Sequence, residues 1–86
     1  MDRVSDLSSL RNLGPRTEMW LNGIGIFTQA DLERIGSVNI HRILKENGYP
    51  VSLNLVWAIE GARADLDWRE LSEDLKADLR RQIIVR

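Results

Sequence analysis

Apolar residues in this chain fall in short clusters at helical spacing, and the clusters stop at glycine-containing joints. Leu10-x-Asn12-Leu13-Gly14-Pro15-x-Thr17 returns eleven residues later as Leu21-x-Gly23-Ile24-Gly25-Ile26-x-Thr28, and both copies run on to a leucine, Leu21 or Leu32. A shorter echo follows as Leu32-x-x-Ile35-Gly36-Ser37. Each unit reads as a short helix closed by an apolar–glycine step, because glycine takes the left-handed conformation past a helix end without steric penalty. Pro15 is pre-set for a first helical turn, and Thr28 and Ser37 are residues of the N-cap type. The first half of the chain is therefore expected to be a zigzag of small helices.

Taken in order, residues 1–6 read as a lead-in, with Ser5 or Asp6 as a cap for a first short helix carrying Leu7 and Leu10. Pro15 to about Asn22 forms the second helix, with Met19, Trp20 and Ile24 expected to face inward. Thr28 and Asp31 have the spacing of a capping box, with Phe27 placed to staple onto Leu32. Ser37 opens a helix whose apolar face is Ile40, Ile43 and Leu44, and Asn47-Gly48 closes it. Tyr49-Pro50 is a turn, since Pro50 disfavours helix at the residue before it. Ser52 then caps the most apolar stretch, from Leu53 through Trp57 to Ala62, which is apolar nearly all round and is expected to be the buried central helix. Asp67-Trp68-x-Glu70 repeats the box pattern. Ser72-Glu73-Asp74 starts a last helix with acids at its positive end and an inward stripe of Leu75, Leu79 and Ile83. No stretch alternates at period two. The expected fold is all-α, a compact bundle of five to seven short helices in one domain over 1–86, with a helix-hairpin-helix-like first half.

Composition narrows the function classes. With 86 residues the chain is long enough for one core, and with no cysteine it has no disulfide framework or thiolate metal site. That usage points to an intracellular, cytoplasmic location, and no apolar run approaches the length of a membrane span. Twelve basic and thirteen acidic side chains leave a net charge of −1. This argues against a strongly basic nucleic-acid binder but leaves room for a local phosphate site.

Such a site fits Asn12-Leu13-Gly14-Pro15-Arg16-Thr17. Free amides at a helix start can hold a phosphate oxygen without reading base sequence, here those of Gly14, Arg16 and Thr17. Arg16 adds a charged donor, and Arg11 reaches the same phosphate or its neighbour. Asn12 stands where glycine is usual in a hairpin of this kind but tolerates the left-handed conformation, whereas Glu18 repels an anion. The second hairpin, Gly23-Ile24-Gly25, has the better glycine pattern and no basic neighbour. Simple helix joints explain the same residues without any ligand. His41, without a second histidine or cysteine, reads as structural, and Asp67 of Asp65-x-Asp67 reads as a helix cap. Trp57 and Trp68 read as packing, while an exposed Trp20 would mark a partner surface. No catalytic constellation, metal site or cofactor site emerges.

Two stretches carry a family resemblance: Leu10 to Leu21 with Gly25 to Gly36, and Val51-Ser52-Leu53-Asn54-Leu55-Val56-Trp57-Ala58-Ile59-Glu60-Gly61-Ala62 followed by Asp67-Trp68. Together they resemble the C-terminal domain of the TfoX (Sxy) competence regulators, over about residues 7–82. The resemblance implies an all-α domain of helix-hairpin-helix character. It also implies an association with bacterial DNA uptake and competence genes, alongside a transcription activator. Regulators of this family carry an N-terminal α/β domain ahead of the module, and this chain starts almost where the module starts, so it is read as the module without that domain. Two functions stay open: weak, sequence-independent DNA contact through Asn12–Thr17, and protein interaction or homodimerisation through Trp20 and the outer faces of the early helices.

Overall fold

The computed structural model describes residues 7–84. A 3-10 turn, Leu7–Ser9, leads into α1 (Pro15–Gly23), α2 (Gln29–Ile35), α3 (Ser37–Glu46) and α4 (Leu53–Ala64). A second 3-10 turn, Trp68–Glu70, then precedes α5 (Glu73–Ile84). No strand occurs among the described residues, and the radius of gyration is 12.3 Å, against about 12 Å expected for a folded chain of this length. The all-α bundle read from the sequence is the fold.

The helix α4 is the hub, packed against α2, α3, α5 and the second 3-10 turn. Its Leu55, Val56, Ala58, Ile59 and Ala62 are buried, and all of these but Val56 join one core cluster with Leu21 of α1, Leu32 of α2, and Ile40 and Leu44 of α3. Burying each of the large side chains contributes roughly 1.5–3 kcal/mol before entropy is charged against it. Trp57 and Trp68 stack with centroids 6.0 Å apart, and the ammonium of Lys76 lies 5.4 Å from each ring. That contact fastens α5 to the α4 edge.

The local joints follow the sequence with some corrections. Thr28 and Asp31 form the expected capping box, Thr28 Oγ1 accepting from the Asp31 amide and the Asp31 carboxylate accepting from the Thr28 amide. A single residue, Gly36 at φ 86°, both closes α2 and opens α3. Ser37 is therefore the first helical residue rather than the cap, and its hydroxyl donates to Glu60 on α4 instead. Met19 does not face inward: it is 64% exposed, and Leu21 is the fully buried residue of α1. Trp20 beside it is half-buried and packs against the same core. Leu75 likewise lies on the exposed side of α5, where only Leu79 is fully inside. The helix expected around Leu7 and Leu10 is one 3-10 turn. The suggested caps Ser5 and Asp6 lie outside the described residues.

A candidate contact surface at the first hairpin

Asn12 sits at φ 70°, the left-handed turn expected between Leu10 and Gly14. Leu13, buried in the core, anchors the turn. Gly14 then occupies the N-cap position of α1 in extended conformation and supplies no side-chain cap. The first helical bond runs from the Glu18 amide to the Gly14 carbonyl, 3.0 Å. Pro15 has no amide to satisfy, and the amides of Arg16 and Thr17 have no hydrogen-bond partner among the described residues. Arg16 is exposed and forms no ion pair there. Gly14, Arg16 and Thr17 thus lie together at the start of α1.

Asn12 and Arg11 are committed elsewhere. The Asn12 carboxamide turns into the fold, donating to the Leu66 carbonyl at 2.8 Å and the Ala58 carbonyl at 3.4 Å. Its oxygen accepts from the Trp68 amide at 3.1 Å. Arg11 Nε meets Asp65 at 3.3 Å, both side chains exposed; such a pair is weak and exchangeable. Glu18 reaches back to accept from the Ser8 amide at 3.2 Å, so a carboxylate already lies beside this helix start. Sequence reasoning missed the partner of Asn12. The Asn12 amide group packs against Gly61 of α4, and a glycine inside an apolar helix was the available signal of a close approach.

The second hairpin differs. Gly25, at φ 87°, makes the turn, and Gly23 faces Tyr49, whose hydroxyl would lie 2.7 Å from any Cβ placed there. The start of α2 beyond it is filled by the chain's own anion. The Asp31 carboxylate accepts from the Phe27 amide at 3.0 Å and the Thr28 amide at 3.2 Å, and pairs with Arg34. The Phe27 amide above all holds the Asp31 carboxyl below its usual range. Between the hairpins, Trp20 is half-buried, packed on the core with its ring 5.4 Å from that of Tyr49.

Glu60 and Asp67 are held by neighbours. Glu60 takes the Ser37 hydroxyl and Arg63. Asp67 is gripped by the Arg69 guanidinium and backbone amide, which push its carboxyl far below the ordinary value. His41 is buried, 8% exposed, and burial followed by the nearby Lys45 charge lowers its pKa. No helix among the described residues is long and apolar enough to cross a membrane.

Residues 3–83 match the model of the TfoX C-terminal domain. Two solved structures, both from Listeria monocytogenes, have the same fold. One is of an uncharacterized protein in a triclinic form: TM-score 0.83, 32% identity, covering 90% of this chain and 88% of that one. The other is of a protein of unknown function in a tetragonal form: TM-score 0.84, 32% identity, covering 92% of this chain and 98% of that one. No curated protein matches the chain.

Proposed function

The chain belongs to the TfoX C-terminal domain family, and from that premise we propose that it is a cytoplasmic regulatory module of the competence-regulator type that works by contact rather than catalysis. The contact is with DNA phosphate, weak and without sequence preference, at the start of α1. The observation that carries this reading is the uncapped Gly14–Thr17 turn. It opens a nine-residue helix with two amides and an exposed Arg16 that have no partner among the described residues. Helix starts of this kind attract anions. Arg11 can leave the exposed Asp65 for a second phosphate, because surface pairs hold by less than about 1 kcal/mol. The test is binding of the chain to a fluorescent duplex at several salt concentrations. Micromolar binding with a log–log salt slope equivalent to about two phosphates supports it; no binding at low salt removes it.

A second reading is favoured by Met19, which is exposed one turn beyond Arg16 on the same helix. Its large apolar side chain beside a charged one suits a protein partner, either a transcription factor or a second copy of this chain. Sedimentation velocity over a range of concentrations tests the homodimer directly, and a purely monomeric profile confines this reading to a foreign partner.

A further inference from the structure

Most basic side chains of this fold already face a carboxylate: Arg11, Arg34, Arg63, Arg69, Lys76 and Arg81 are each in an ion pair. Among the described residues Arg16 and Arg80 are not, nor are Arg42 and Lys45. Arg42 and Lys45 lie one turn apart on α3 and line the same cleft, of about 120 Å³, together with His41, Val38 and, from the last turn of α5, Ile83. No acidic residue among the described ones lines it. In a chain with thirteen acidic side chains and a net charge of −1, that is a local reversal of sign, set against two apolar walls.

Size and chemistry together narrow the occupant. Sites for nucleotide- or drug-sized ligands run to roughly 300–1,000 Å³, so this cleft takes only a small group. A planar guanidinium offers a carboxylate two parallel donors, and the nearby ammonium adds charge. We propose that the cleft between α3 and α5 binds a carboxylate carried on a short apolar group, with the carboxylate on Arg42 and Lys45 and the apolar part against Val38 and Ile83. His41, at the edge of the core, lines the same cleft. The carboxylate comes either from a free short-chain acid or from the C-terminus of another polypeptide. The site is remote in sequence from the first hairpin and stands whether or not that hairpin meets DNA.

The experiment is a titration of the full 86-residue chain, followed by two-dimensional amide NMR, with four probes at constant ionic strength. These are hexanoate, hexanamide, an acetylated tetrapeptide ending in a free leucine carboxylate, and the same peptide as its C-terminal amide. Saturating shifts at residues 38–45 and 83, with a low-millimolar midpoint for either carboxylate, are expected. They should weaken at least about tenfold for the amides and in the R42Q/K45Q variant, whose exposed positions leave the fold intact by circular dichroism. Which carboxylate saturates identifies the source. The proposal is overturned by shifts that never saturate, by equal responses to amide and carboxylate, or by binding unchanged in the double variant.

Discussion

The Asn12 carboxamide fills the space that Gly61 leaves open on α4. A Cβ at position 61 would collide with Asn12 Nδ2 and lie 2.7 Å from the Leu66 carbonyl and 3.3 Å from Trp68 Cα. The first turn of the chain, the middle of the central helix and the segment after it are thereby fastened at one point. The Asn12 side chain supplies the hydrogen bonds and Gly61 the room.

Replacing Gly61 with alanine should therefore destabilise the domain, although alanine is the better helix former. Two of the three nearest atoms are backbone, so no rotamer change relieves the overlap, and overpacking of this kind costs about 1–3 kcal/mol. Thermal denaturation should show the midpoint falling by several degrees; an unchanged or raised midpoint would show that the contact is loose.

Two variants at position 12 separate hydrogen bonding from backbone strain. Asn12→Gly keeps the φ of 70° at no steric penalty and loses only the side-chain bonds, for about 1–3 kcal/mol. Asn12→Ala should be worse by roughly another 1 kcal/mol, because alanine resists the left-handed region. Urea unfolding of both gives the difference, and equal stabilities would mean that the turn relaxes.

Arg16→Glu should weaken DNA binding and reduce the salt slope by about one phosphate, while Met19→Ser should leave both unchanged. The opposite result, loss of self-association or of partner binding with Met19→Ser and no effect of Arg16→Glu, would favour the protein-contact reading.

His41 should titrate below its ordinary value of 6.5, because burial disfavours the imidazolium and Lys45 repels it. The folded state then binds the proton less readily than the unfolded chain. The His41 contribution to stability is complete above pH 6.5 and is lost as pH falls through the lower folded value. Lys45→Gln should move the imidazole titration upward, part of the way back, as followed by proton NMR. A titration at or above 6.5 in the native protein contradicts the burial described here.

Thr28→Ala removes the hydroxyl that accepts from the Asp31 amide and should cost about 1 kcal/mol. The Asp31 side of the same box is acid-labile. Its carboxyl is depressed below 3.8 in the folded state, so its stabilisation is full above 3.8 and disappears as pH falls through the lower folded value. In Asp31→Asn the decline of the melting temperature below that pH should be shallower than in the native chain.

The chain's own pattern determined the elements: short helices, their glycine joints, the Thr28–Asp31 and Asp67–Glu70 boxes, and α4 as the central helix. These depend on neighbours within four residues, where spacing and side-chain type fix the local energy. Gly14, Arg16 and Thr17 were legible as a group for the same reason, since they are consecutive at one helix start. Packing alone decided which face of α1 would bury Leu21 and leave Met19 outside, that Asn12 would turn inward to Gly61, and that the Ser37 hydroxyl would bond Glu60 rather than its own helix. It also brought Ile83 to His41, Arg42 and Lys45 across the cleft. These relationships join residues far apart in the chain, and a periodicity of three or four carries no information about which distant surface a side chain will meet.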